Sequence, residues 1–260
     1  MNKESAWELK TDSLISDLKN GKRADGRKVD ESRKVAVSKG FAKYADGCAV
    51  VRLGETHVVC GVKLVPMPPY PDSPNMGTIS VGTELLAMAS PEFEAGPPNE
   101  TSIELSRVVD RGIREGHALE FEELCIRGGE LVWTVFVDIY VLNDAGNLFD
   151  ASSIAAMASL LDTRIPKLEG DKVVIGEYAD KLKVHSLPLL STFAKISNIN
   201  VLDPVLLEEK AMSARFSVAT NDDDKISAFQ KGHGGSYSLK EINEMVEIAI
   251  KNAKKTRKLI

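Results

Sequence analysis

The chain has 260 residues, 43% hydrophobic and 27% charged, with a formal net charge of −5 at pH 7, enough to bury a large core in one big domain or two small ones. That charge excludes a protein that coats nucleic acid by overall attraction, and no stretch approaches the roughly 18 apolar residues of a membrane helix. The N-terminus lacks the basic-then-apolar order of a secretory signal, and the scattered Cys48, Cys60 and Cys125 fit a reducing cytoplasm.

In chain order, Ser5-Ala-Trp-Glu8 reads as a capping box opening an amphipathic helix through Leu9, Leu14, Ile15 and Leu18, with Gly21 as its stop. The polar turn Arg23-Ala-Asp-Gly-Arg27 follows, then strands near 34–38, 47–53 and 56–65, the last two joined by Gly54-Glu55. Pro66 is expected to end the sheet segment, because proline has no N–H for a ladder. A strand near 78–86 precedes a Pro/Gly-rich loop. A second capping box, Thr101-Ser-Ile-Glu104, opens a helix to about Glu115. Residues 131–142 are apolar on both faces except Thr134 and Asp138, as in a central strand, and a helix spans about Asp150 to Asp162.

The segment 163–172 is the best candidate linker. Short strands, the turn Gly232-His-Gly-Gly235 and a capping box Ser238-Leu-Lys-Glu241 then lead into a C-terminal helix. The fold class is α+β, mixed sheets packed with helices in two βαβ-type halves plus an N-terminal helix. The divisions fall at an N-terminal helical arm, 1–22, a first part, 23–165, and a second part, 166–260.

Four places could carry chemistry. Arg107, Arg111 and Arg114 share one face of the helix 101–115, and like charges at this spacing need compensation. Local pairs would supply it (Asp110 with Arg114, Glu104 with Arg107, Arg111 with Glu115); the alternative is a row of guanidiniums for phosphates. Ile103, Val108, Val109 and Ile113 would anchor that helix. The Gly232–Gly235 turn before a helix suits an anion but lacks P-loop register, so a plain turn is the simpler reading. Asp138, in an apolar strand, needs a partner if buried and reads as a satisfied core anchor. Asp203, Glu208 and Glu209 form a carboxylate group for a divalent ion or a general acid, or else an acidic surface loop. No metal motif, cofactor motif or Ser-His-Asp order is present.

Four blocks in order, Arg23-Ala-Asp-Gly-Arg27, Asp46 to Thr56, Glu104-Leu-Ser-Arg-Val-Val-Asp-Arg111 and Asp138 to Gly146, resemble the RNase PH superfamily of phosphorolytic 3′ exoribonucleases. The resemblance implies that fold from Arg23 to the last helix. It places the family's phosphate-binding turn at Asn147, Leu148 and Phe149, where the hydroxyl and arginine of active members are missing, and the family's catalytic acid at Arg215. A guanidinium does not exchange protons near neutral pH.

Both losses, with the Asn147-Leu-Phe-Asp-Ala151 turn, are similar to the non-catalytic ring subunit of the archaeal exosome. That likeness implies a cytoplasmic partner protein with no cofactor or metal. It would pair with a catalytic RNase PH-like subunit in a heterodimer, three of which close a hexameric ring. RNA-binding cap subunits would sit on one face, and Arg107, Arg111 and more weakly Arg114 would guide single-stranded RNA. The alternative is a self-sufficient exoribonuclease, phosphorolytic or Mg²⁺-dependent.

Overall fold

A computed structural model describes the backbone of residues 3–260 and the side chains of residues 11–260. Helix α1 (Lys3–Lys19) begins ahead of the expected cap, and the side chains of Ser5, Glu8 and Leu9 lie outside the described residues. Leu14 and Leu18 are buried against Ala194, Ile196 and Val201. At its end Lys22 donates to the Asp17 carbonyl and Gly21, at φ +71°, to that of Leu18, so a glycine in the left-handed region closes the helix.

The first sheet comprises β1 (Val35–Lys39), β2 (Gly47–Leu53), β3 (Thr56–Met67), β4 (Thr78–Leu85), β5 (Cys125–Arg127) and β6 (Leu131–Asn143). Its order is β1-β2-β3-β6-β4, with β5 pairing β6. Only β4 and β6 run parallel, and α2 (Glu100–Glu115) crosses between them. Pro66 does not stop β3: it sits opposite Trp133, beyond the last pairing with β2 at Val62. Leu64 N–H faces away from β6, to the Asp46 carboxylate at 2.8 Å, so two residues on Pro66 needs no ladder donor.

Strand β6 buries Val135, Val137, Ile139 and Val141, each at most 1% exposed. On its other face Val132 and Thr134 are buried and Phe136, Tyr140 and Leu142 half-buried, but Asp138 is exposed there, not a core anchor. Its carboxyl is raised by partial desolvation and by Glu84. Helix α2 is capped by Asn99, which accepts from Ser102 N–H at 2.9 Å, not by Thr101; Ile103 is exposed, while Leu105, Val108, Val109 and Ile113 form the anchoring face.

Helix α3 (Leu148–Asp162) is buried from Leu148 to Leu160. Its small residues Ala151, Ala155, Ala156, Ala158 and Ser159 permit close approach between the two sheets, which it touches through β2, β3 and β9. The expected linker is instead a hairpin, β7 (Arg164–Glu169) with β8 (Lys172–Lys181). The second sheet is antiparallel throughout, in the order β10-β9-β11-β12 for β9 (Leu189–Ile196), β10 (Ile199–Leu202), β11 (Ala214–Thr220) and β12 (Ile226–Gly232). The short α4 (Leu206–Ala211) connects β10 to β11, and α5 (Leu239–Thr256) covers the outer side through Met245 and Ala249 against Phe193, Phe216 and Val218. Ser238 forms its predicted capping box with Glu241. The α+β class is therefore as the sequence indicated, with the mixed pairing confined to the first sheet.

The closest backbone approach in this packing is at Gly47, where a Cβ would lie 2.2 Å from Thr163 Oγ1 and 2.6 Å from the Ser159 carbonyl oxygen. Gly47→Ala should therefore cost about 2–3 kcal/mol of stability. Urea unfolding measures this, and an unchanged midpoint would refute the tight β2–α3 contact.

Candidate functional site

Three segments meet where β6 hands over to α3: the loop 144–147, the stretch 203–209 leading into and through most of α4, and the N-terminal segment 23–33. Asp203, fully buried at φ +50°, is the hub. Its Oδ2 accepts from Arg33 N–H at 2.7 Å, Arg33 Nε at 2.9 Å and Arg27 Nη1 at 3.0 Å; its Oδ1 accepts from Arg33 Nη2 and Asn147 Nδ2, both at 2.7 Å. Burial alone would raise this carboxyl, but Arg33 overrides burial and holds it low. The five guanidinium N–H groups of Arg33 are all engaged, the remainder by Thr56 Oγ1 and the carbonyls of Ala145 and Gly146.

Alongside, Arg23 grips the buried Glu208 in a bidentate pair, Nε–Oε1 2.9 Å and Nη2–Oε2 2.7 Å. Glu208 also accepts from the Val205 N–H that starts α4. Asp203 and Glu208 thus belong to the interior, which corrects the acidic-surface-loop alternative. Their oxygens are spent on arginines and backbone, the behaviour of structural anchors.

The expected phosphate turn is the start of α3. Asn147, at φ +57°, caps the helix by accepting from Asp150 N–H. The Asn147 N–H itself donates to the Glu209 carboxylate at 2.9 Å. An N–H at a helix N-terminus favours an anion, and here a carboxyl of the same chain occupies that place. Burial pushes Glu209 up to about 7, with Asp144 adding to the rise and Asn147, Arg215 and Arg33 opposing it. Asp150 is also raised to about 7, by burial and then by Asp203. Phe149 is buried, and the Arg215 guanidinium lies on its ring with 4.0 Å from Cζ to the centroid. Arg215 is also paired with Glu104 of α2. The degenerate turn and the position expected for the catalytic acid therefore meet as a cation on an aromatic ring.

On α2 only one of the three local pairs forms. Arg114 binds Asp110 at 3.1 Å, donates to the Ile79 carbonyl at 3.0 Å and lies over Phe121. Glu104 turns to Arg215, and Arg111 donates to Gln230 Oε1 at 3.3 Å, not to Glu115. Arg107 and Arg111 are exposed, and Arg107 makes no ion pair among the described residues. The structure thus separates Arg114, held by the protein, from Arg107 and Arg111, whose side chains are exposed.

Sequence reasoning missed Arg33, which lies just past the Arg23–Arg27 block, and the use of Glu104 and Gln230. It also left Asn147 without its role as both cap and donor to Asp203. Among the described residues no helix is long and apolar enough to cross a membrane, and no group of three or more His, Cys, Asp or Glu is placed to hold a metal ion.

The fold is that of the RNase PH class. The chain matches domain 1 of the 3′ exoribonuclease family over residues 31–166 and domain 2 over 186–252, and it belongs to that family. It is 45% identical over 254 residues to the exosome complex component Rrp42 of Thermococcus gammatolerans, covering 96% of this chain and 93% of that one. It superposes on a chain of the Archaeoglobus fulgidus exosome solved with RNA bound to the active site, at TM-score 0.92 and 43% identity, covering 97% and 98% of the two chains. A chain of an archaeal exosome core gives TM-score 0.88 at 40% identity, covering 99% and 98%.

The raised Glu209 carboxyl has a pH consequence. The folded state keeps a proton that the unfolded chain releases above about pH 4.3. Stability from this group is complete at lower pH and is lost as pH rises through about 7. Glu209→Gln, which preserves the acceptor for Asn147, should reduce the fall in unfolding free energy between pH 5 and 8 by about 2 kcal/mol, allowing for solvent at this partly exposed residue. Urea titrations across that range check it, and an unaltered pH slope would contradict a raised carboxyl.

Proposed function

We propose that this chain is a non-catalytic subunit of an exosome ring that degrades RNA 3′→5′ by phosphorolysis. It pairs with a catalytic RNase PH-like subunit, three such pairs forming the ring, with RNA-binding caps on one face. The observation that carries this reading is the occupied cradle: Glu209 accepts the helix N-terminal N–H of Asn147, and Arg215 stands at the expected acid position, stacked on Phe149. Phosphate entering there would meet the Glu209 carboxyl, and a guanidinium does not release a proton to a leaving oxygen near neutral pH. The similarity to exosome components over 96% of the chain supports the assembly. The Mg²⁺-dependent alternative calls on carboxylates such as Asp203 and Glu209, but Asp203 is bound by Arg33 and Arg27, and Glu209 accepts from the Asn147 N–H.

Arg107 and Arg111 are the proposed RNA contacts. Two exposed guanidiniums one helical turn apart suit successive phosphates and read no sequence. Arg114 leaves the proposal, since its guanidinium already serves Asp110 and Ile79.

Two outcomes are expected. The pure chain should release no nucleoside diphosphate from poly(A) in phosphate buffer, while its addition to the catalytic sister raises the sister's rate; phosphorolysis by the pure chain would overturn the non-catalytic reading. In the assembled ring, Arg107→Glu with Arg111→Glu should slow poly(A) processing about tenfold at moderate salt and leave assembly intact by gel filtration. Unchanged processing would remove the RNA-contact role.

A further inference from the structure

Arg215 does not merely fill a vacated catalytic position. Only 7% exposed, it projects from β11 between α3 and α2. Its Nη2 donates to Glu104 Oε1, and Glu104 Oε1 accepts a second bond from Gln230 Nε2 at 3.2 Å. Gln230 Oε1 in turn accepts from Arg111 Nη1 at 3.3 Å. The amide has one orientation that suits both neighbours: NH₂ toward the carboxylate and oxygen toward the guanidinium. A continuous path therefore runs Arg215–Glu104–Gln230–Arg111, from the degenerate site to the exposed arginines.

Glu104 lies three residues before Arg107 and seven before Arg111, on their own helix face. Unpaired, its carboxylate would repel the phosphates those arginines attract. Gly232 shows that room is kept for the pairing. It is the register partner of Arg215, and a Cβ there would lie 2.7 Å from Arg215 Nη2. The glycine that opens the Gly232–Gly235 turn thus has a use: it admits the guanidinium to Glu104.

We propose that Arg215 is a positioning residue for the RNA face, cancelling the charge of Glu104 and, through Gln230, orienting Arg111 toward RNA. This rests on the reading of Arg107 and Arg111 as RNA contacts. The ring assembled with the catalytic sister is titrated into fluorescent oligo(A) in phosphate-free buffer, and anisotropy gives the affinity. Arg215→Met keeps an unbranched side chain on Phe149 but removes the charge, and should weaken binding about three- to fivefold. Adding Glu104→Gln to that variant should restore most of the loss, because the unpaired carboxylate is gone. Arg215→Lys should stay near the parent ring.

Weakening that Glu104→Gln does not rescue would mean a packing role only and overturn the inference. Unchanged affinity in Arg215→Met, with clear weakening in Arg107→Glu/Arg111→Glu, would overturn the inference and leave the RNA-contact reading standing. Unchanged affinity in the Arg107/Arg111 variant would overturn that reading itself. If Arg215→Met fails to assemble, Gln230→Leu cuts the same path at the surface and should weaken binding about twofold; no change there overturns the inference.

Discussion

The Asp203 carboxylate holds this molecule together where β6 hands over to α3. It gathers Arg27, Arg33 and Asn147, which belong to the N-terminal segment and to the start of α3, while Asp203 itself lies between β10 and α4. A buried carboxylate is costly unless its oxygens are satisfied, and the bonds from these three residues satisfy both. Removing either side would strand charge in the interior, so the network specifies how both parts of the chain dock as well as stabilising them. The buried pair of Arg23 with Glu208 repeats the device alongside.

Under the proposed non-catalytic role, that constraint lets the family's scaffold persist without its chemistry. The N-terminus of α3 remains an electropositive backbone site, but Glu209 answers it from within the chain. Arg215, where the family resemblance expects an acid, has become the centre of a contact with Phe149 and Glu104. Charges that would otherwise be directed at substrate are paired with one another, while Arg107 and Arg111 stay exposed on α2. The proposed role follows this division: paired charges inside, exposed guanidiniums outside.

Much of the fold was legible because burial on one face leaves a period in the sequence. The cores of β2, β3 and β6 and the cap of α5 follow it closely. Asp138 was misread because Phe136, Tyr140 and Leu142 put apolar residues on the same face of β6, which imitates a strand covered on both sides. The 163–172 segment looked like a linker because Pro166 and Gly170 punctuate it; Gly170, at φ +63°, is instead the turn of a hairpin. Of the site, the degenerate turn and Arg215 were visible through the family resemblance. The Asp203 hub was not, because Arg33 lies 170 residues away in sequence and no local pattern announces the pairing. Glu104 was equally deceptive: its spacing points to Arg107, and only the tertiary structure brings Arg215 to it.

In the proposed reading the phosphate cradle at the start of α3 is filled by the chain's own Glu209 carboxyl. The most direct measurement is calorimetric titration of inorganic phosphate into the pure chain at constant ionic strength, with the catalytic sister as the positive control. An occupied cradle predicts no saturable heat from this chain at phosphate concentrations that saturate the sister. Saturable one-site binding to the pure chain, abolished by substitutions in the 144–149 turn, would show that the cradle is open and contradict the claim.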